Sequence, residues 1–210
     1  MLISCIMPTR GRQEFAAAAL DCYLSQTWRD KELIILDDAD APSFPGGVEL
    51  FGVVYERMAH RLTIGAKRNI AVSRSQGEVI AHFDSDDYSA PGRLKDQMDR
   101  LIDGGAQVSG YNSMRFTDGV QWWQYTGVED YALGTSLVYR RAYWERSPFP
   151  CEMVGEDTAF IVPARSSREI VTADAGEFMW ATIHDGNTSP RDVTKENAQW
   201  RKIEQTNENC

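Results

Sequence analysis

Asp84, Asp86 and Asp87 bring three carboxylates into four residues, at the end of the apolar run Val79 to Phe83. Strand interiors disfavour Asp, and like charges this close repel one another. A cation relieves that repulsion. Hard divalent metals such as Mg²⁺ or Mn²⁺ take oxygen ligands and often bind through one or two carboxylates plus substrate phosphates. A metal–diphosphate site is the sharp reading of this segment, and a solvated acidic turn is the bland one. Two further acidic pairs stand at useful places: Asp37-Asp38 closes the run Leu33 to Leu36, and Glu156-Asp157 follows Gly155. A carboxylate within hydrogen-bond reach of a hydroxyl can act as a general base. A pair in the first turn of a helix is equally favoured by the helix dipole alone.

These residues need elements to hold them. Leu2 to Met7 reads as a buried strand stopped by Pro8 and Gly11. Gln13 to Trp28 has helical spacing, with Phe15, Ala19, Leu20, Tyr23 and Leu24 on one face. Glu32 to Leu36 reads as a second strand, Phe51 to Tyr55 as a third, and Thr63 to Ser75 as a helix that Gly77 stops. Ser89-Ala90-Pro91 opens another helix, with the stripe Leu94, Met98, Leu101 and Ile102, closed by Gly104. This alternation of apolar strands and helices implies an α/β fold with a Rossmann-like, mainly parallel sheet flanked by helices. Strands that run one way put Asp37-Asp38 and Asp84 on a shared edge, where such sheets bind ligands. The second half reads as a small antiparallel region. It holds a hairpin from Gln107 to Tyr125 turning at Asp118-Gly119, a short strand at Leu137 to Tyr139, and helices at Arg141 to Arg146 and from Gly155 up to Pro163.

The 210 residues suffice for one sizeable core, and no linker or repeat is visible. One domain over 1–190 is expected, with a donor part at about 1–105 and an acceptor part at about 106–190. A polar helix or tail follows at 191–210. A net charge of -9 argues against broad binding to nucleic acid or anionic membrane. Cys5, Cys22, Cys151 and Cys210 form no CxxC pair, so zinc or redox motifs are not expected. No run approaches the roughly 18–20 apolar residues of a membrane helix, and a cytoplasmic location fits.

Five segments in order give the chain a specific likeness. They are Pro8-Thr9-Arg10-Gly11-Arg12; Leu24 to Trp28 with Glu32 to Asp38; Gly65-Ala66-Lys67-Arg68-Asn69; Phe83-Asp84-Ser85-Asp86-Asp87 followed by Pro91 and Leu94; and Gly155-Glu156-Asp157. Together they resemble a family-2-type glycosyltransferase of the GT-A fold over roughly residues 2–190. The resemblance implies a nucleotide-diphosphate sugar as donor, a UDP-sugar first among them, and an inverting transfer to an acceptor hydroxyl. It implies that Asp38 meets the donor base while Asp37 supports that loop. The familiar Asp-Asp-Gly-Ser is here Asp37-Asp38-Ala39-Asp40, which leaves the base open. Pro8, Thr9, Arg10, Arg12, Arg68, Asp84, Ser85 and Asp86 are implied on the donor side, the arginines because they pair bidentately with phosphate. Asp86, then Asp84 and Asp87, are implied as ligands of Mn²⁺ or Mg²⁺, with His184 of His184-Asp185-Gly186-Asn187 as a further candidate. Asp157 is implied as general base, with Glu156 orienting the acceptor or supporting the loop. Trp122, Trp123 and Tyr125 fall where an acceptor is expected. Aromatic faces stack on sugars, although strand alternation puts the two Trp on opposite faces. His82 reads as a satisfied interior histidine.

Two other readings stay open on the residues. A nucleotidyltransferase of the same fold would want a Gly-rich, Lys-containing phosphate loop after the first strand, and Pro8 to Arg12 is poor in glycine. A non-catalytic nucleotide-sugar-binding module is the other. A dinucleotide-binding dehydrogenase is excluded, since no GxGxxG follows a strand. The acceptor is not named by the sequence; a glycan, lipid-linked sugar, protein, small molecule or modified nucleic acid all carry suitable hydroxyls.

Overall fold

The computed structural model describes residues 1–189 and 199–204. The first half runs β1 (Ile3–Thr9), α1 (Gln13–Leu24), β2 (Lys31–Asp37), β3 (Val53–Arg57), α2 (Ile64–Arg74), β4 (Val79–His82), β5 (Tyr88–Ser89) and α3 (Arg93–Asp103). The second runs β6 (Val108–Thr117), β7 (Trp122–Thr126), β8 (Val138–Arg140), α4 (Arg141–Arg146), α5 (Glu156–Ser167), β9 (Ile170–Asp174), β10 (Met179–Thr182) and β11 (Trp200–Ile203). The eleven strands of the described residues belong to one sheet, ordered β11-β7-β6-β8-β4-β1-β2-β3, with β9 and β10 joined to β6 and β5 to β10.

The four strands β4, β1, β2 and β3 are parallel. Every residue of β1 is buried, so successive side chains fill two cores instead of alternating between core and water. Ile3, Cys5 and Met7 pack with Leu33 and Ile35 against Tyr23 of α1 and Leu94, Met98 and Leu101 of α3. Ile6, Ile34 and Leu36 pack on the other face against Ala71 and Val72 of α2 and Phe160, Ile161 and Ala164 of α5. Burying side chains of this kind stabilises by about 1.5–3 kcal/mol each, which is why the sheet can hold polar groups rigidly at its edge. Thr9 pairs with Asp37 in the β1–β2 register, so the acidic strand ends share one edge as expected.

Several boundaries depart from the sequence reading. The first helix stops at Leu24, not Trp28, because the buried Gln26 side chain is drawn across to α3. Its Nε2 donates to Ala90 O at 2.7 Å and its Oε1 accepts Leu94 N–H at 3.1 Å. Pro91 lies before the third helix, which begins at Arg93 with Gly92 as its cap. The fifth helix does not end at Pro163 but continues to Ser167. The missing proline N–H weakens that turn, and the Tyr143 hydroxyl bridges it, donating to Phe160 O at 2.5 Å and accepting from Ala164 N–H at 3.3 Å. Of the expected polar C-terminal helix or tail, residues 200–203 form a strand antiparallel to β7; positions 191–198 and 205–210 lie outside the described residues. Cys5, Cys22 and Cys151 are free thiols. Among the described residues no helix is long and apolar enough to cross a membrane.

Candidate active site

A cleft of about 300 Å³ opens at the carboxyl edge of the sheet. Pro8, Arg12, Arg68, Asp84, Asp86, Asp87, Glu156 and Asp157 all line it. Residues far apart in the chain meet here because β1 and β4 end side by side, while Gly155 turns the chain into α5 from the other wall. Gly155 has φ +86°, a left-handed conformation that favours glycine, and the helix starts at the next residue.

Asp86 is the centre of a polar cluster. Its Oδ1 lies 2.7 Å from Arg12 Nη1, and its Oδ2 lies 2.9 Å from His184 Nε2 and 3.3 Å from Asn187 Nδ2. Burial pushes its carboxyl up to about 6, with Arg12 opposing and Asp84 adding to the rise. Gly186 N–H donates to His184 Nδ1 at 3.1 Å, which leaves the imidazole proton on Nε2, facing Asp86. Burial and the Arg12 charge lower the basicity of His184. Its ring stacks on Phe15 with centroids 4.6 Å apart.

Asp84 and Asp87 behave differently. Among the described residues Asp84 Oδ1 is buried without a hydrogen-bond partner, and the Arg68 guanidinium lies 3.9 Å from it. Asp87 Oδ2 accepts the Thr135 hydroxyl at 2.5 Å and Oδ1 accepts Thr182 N–H at 3.0 Å. Burial of its carboxyl, reinforced by the charges of Asp86 and Asp84, pushes Asp87 up to about 8, although the residue as a whole is only partly buried. Asp87 therefore ties two segments of chain together, and the ligand role implied for it has both oxygens already engaged. Ser85 is buried with its hydroxyl unpartnered.

Among the described residues no cluster of three or more His, Cys, Asp or Glu is arranged to hold a metal. The donors present nevertheless suit a hard divalent ion. Asp86 lines the cleft, and an ion there would displace Arg12 from its Oδ1 or His184 and Asn187 from its Oδ2; Asp84 keeps an orphaned buried oxygen among the described residues, and Mg²⁺ or Mn²⁺ commonly take one or two carboxylates and leave the rest to phosphates and water. Ligation by His184 through Nε2 would require its proton to move to Nδ1 and the Gly186 bond to be given up.

On the opposite wall, Arg68 is buried and its Nη1 forms a short ion pair with Glu156. Burial raises the Glu156 pKa while Arg68 opposes the shift. Glu156 thus holds Arg68 on this wall. Asp157 is partly exposed at the start of α5, and its Oδ1 accepts Thr158 N–H at 2.7 Å.

The donor-loop residues divide. Asp37 is fully buried and accepts from Ala39 N–H at 3.0 Å, Ser43 N–H at 2.7 Å and Tyr55 OH at 2.8 Å. Asp38 has no accessible side-chain surface: Lys67 Nζ holds Oδ1 at 2.8 Å and Leu62 N–H holds Oδ2 at 2.7 Å. Burial lowers the Lys67 pKa, with Asp38 opposing. Base contact through Asp38 would need that pair to open. Thr9 is buried, with its carbonyl accepting from Lys67 Nζ at 3.1 Å. Arg10 is exposed and lines a second cleft with Gln13, Ala39 and Asp40.

Trp122, Trp123 and Tyr125 do not line the main cleft. Trp123 is buried opposite Phe116 in the β6–β7 register. Trp122 points to the other face and meets Trp180 edge-on at 5.5 Å, while Tyr125 packs on Trp200 at 5.1 Å. The cleft is lined instead by Phe116, Tyr131, Met153, Val154 and Thr158, among others. Neither these nor Asn187 were singled out in the sequence. The Asn187 signal was the polar turn His184-Asp185-Gly186-Asn187; the other lining residues carried none, since they are scattered over a strand, two loops and a helix.

The sheet, with an acidic cleft at its carboxyl edge and a second acidic pair facing it, defines a GT-A architecture. The sequence model of glycosyl transferase family 2 matches residues 4–155. The chain belongs to that family. A putative colanic acid biosynthesis glycosyl transferase, WcaA of Escherichia coli, is 33% identical over 98 residues, covering 44% of this chain and 35% of the relative. An uncharacterized glycosyltransferase of Haemophilus influenzae is 26% identical over 110 residues, covering 48% of this chain and 42% of the relative. The matches thus span less than half of either curated relative. Among solved structures, S. aureus TarS 1-349 in complex with UDP-GlcNAc superposes with TM-score 0.70 at 20% identity, over 90% of this chain and 60% of that one. The mannosyltransferase PcManGT of Pyrobaculum calidifontis, in complex with GDP-Man and Mn²⁺, gives TM-score 0.69 at 15% identity, over 89% and 58%. At these identities the likeness concerns the fold.

Proposed function

We propose that the protein is a metal-dependent, inverting glycosyltransferase that moves a sugar from a nucleotide-diphosphate sugar to an acceptor hydroxyl. The observation that carries this reading is the convergence of Asp84 and Asp86 with Asp157 on one cleft of about 300 Å³. Asp86, with the orphaned oxygen of Asp84, would hold Mn²⁺ or Mg²⁺ against the donor diphosphate. When bound, such an ion offsets the charge that develops on the departing nucleotide diphosphate. Arg12 and Arg68 add fixed positive charge beside that position. Asp157 accepts the proton of the acceptor hydroxyl as its oxygen bonds to the anomeric carbon. The bond from that carbon to the phosphate oxygen breaks with its electron pair leaving on the nucleotide diphosphate. Attack from the face opposite the leaving group inverts the anomeric centre without a covalent intermediate. A UDP-sugar is the first donor to try, and a GDP-sugar the second, since ligands of both kinds are named for proteins sharing this fold.

The reading is tested by calorimetric titration of UDP and GDP with Mn²⁺ and then with EDTA, followed by Asp157→Asn. Metal-dependent binding of one nucleotide, with transfer abolished but binding kept in the variant, is the expected result. No binding of either nucleotide under any condition would defeat it.

A further inference from the structure

Beneath Asp157 lies a 3₁₀ turn, Gly134–Ser136, whose three carbonyls each accept from a buried side chain. His82 Nδ1 donates to Gly134 O at 2.6 Å, Arg93 Nη2 to Thr135 O at 3.4 Å and Gln97 Nε2 to Ser136 O at 2.6 Å. The turn's own bond, from Leu137 N–H to Gly134 O, is longer at 3.4 Å. Gly134 touches the carboxylate: a Cβ placed on it would overlap Asp157 Oδ2 and lie 2.8 Å from Asp157 Cγ. A chain of contacts therefore runs from His82 through Gly134 to Asp157.

His82 is an expensive way to fill its place. It is wholly buried, edge-on to Tyr139 at 5.6 Å and tilted against Phe149 at 5.5 Å. Because a carbonyl only accepts, Nδ1 carries the proton and Nε2 keeps a lone pair, and among the described residues Nε2 has no partner. A phenylalanine would pack in the same aromatic surroundings without burying an idle nitrogen. The one polar atom that is used serves the turn.

We propose that His82 is a positioning residue for the transfer reaction, its Nδ1–H holding the Gly134 carbonyl and so fixing the place of the Asp157 carboxylate. The proposal rests on the reading of Asp157 as the base. A general base is effective only when held at bonding distance, and displacement by about 1 Å costs about 100-fold in rate. Asn carries its amide nitrogen the same number of bonds from Cβ as Nδ1, so it can replace the donor.

The experiment compares His82→Asn, His82→Phe and Asp157→Asn. Turnover of UDP-N-acetylglucosamine and of GDP-mannose with Mn²⁺ is followed by nucleotide-diphosphate release, and nucleotide-diphosphate affinity is measured by calorimetry. The expected result is that His82→Phe loses about 10–100-fold in kcat with nucleotide affinity unchanged, while His82→Asn restores kcat to within about threefold. Wild-type kcat in His82→Phe, with Asp157→Asn inactive, overturns the role of His82 alone. Wild-type kcat in Asp157→Asn overturns the base and this proposal together. Should His82→Phe not fold, the imidazole tautomer read by nitrogen-15 NMR of the wild-type protein decides: protonation at Nδ1 supports the proposal, and protonation at Nε2 overturns it.

Discussion

Gly134→Ala tests the catalytic wall with the smallest possible perturbation, a single methyl group. The new Cβ would overlap Asp157 Oδ2 and sit 2.8 Å from both Cβ and Cγ of Asp157. Carbon atoms rest at about 3.5–4.0 Å, so the Asp157 side chain must retreat by about 1 Å. The backbone asks for no change, because Gly134 is not among the glycines with positive φ. Asp157 is partly exposed and can swing outward, so the fold should lose no more than about 1–3 kcal/mol, the usual cost of overpacking. Displacing a general base by that distance costs about 100-fold, equivalent to about 2.7 kcal/mol of barrier. The assay is kcat by nucleotide-diphosphate release beside calorimetric affinity for the nucleotide diphosphate. Affinity should hold while kcat falls. A variant that turns over at the wild-type rate would refute the reasoning, since the Asp157 position would then not matter.

Two further outcomes are expected beyond those given with the proposals. The Asp86 carboxyl stands near 6 in the fold, and a cation needs it deprotonated; apparent Mn²⁺ affinity should therefore fall about tenfold per pH unit as pH drops below about 6. Calorimetry that gives a flat affinity from pH 5 to 7 excludes Asp86 as a ligand. Tyr143→Phe removes the hydroxyl that bridges Phe160 O and Ala164 N–H beside Pro163. It should cost about 1 kcal/mol and lower Tm by about 2–4 °C; an unchanged melting curve would mean that the helix passes Pro163 without help.

Local chemistry made the parallel core legible. Runs such as Leu33 to Leu36 and Val79 to Ala81 are apolar at every position, which only a sheet covered on both faces accommodates, and the acids that end them mark its edge. The same locality made Gly155 readable as the turn into α5. What the chain order could not reveal was competition between partners distant in sequence. Asp38 is held by Lys67 and Leu62, and Asp87 by Thr135 and Thr182. Identical carboxylates in adjacent positions thus come to differ: Asp86 is held by charged and polar side chains, Arg12, His184 and Asn187, and Asp87 by a hydroxyl and a backbone N–H. Helix ends failed for a related reason: Gln26 and Tyr143 reach groups 64 and 17 residues away, and those bonds outweigh the preferences of the residues at the boundary. The aromatic run Trp122 to Tyr125 gave its alternation from sequence, but neither of its faces lines the cleft, where β6 places Phe116 instead. Periodicity fixes which residues share a face; only the packing of other elements decides what that face meets.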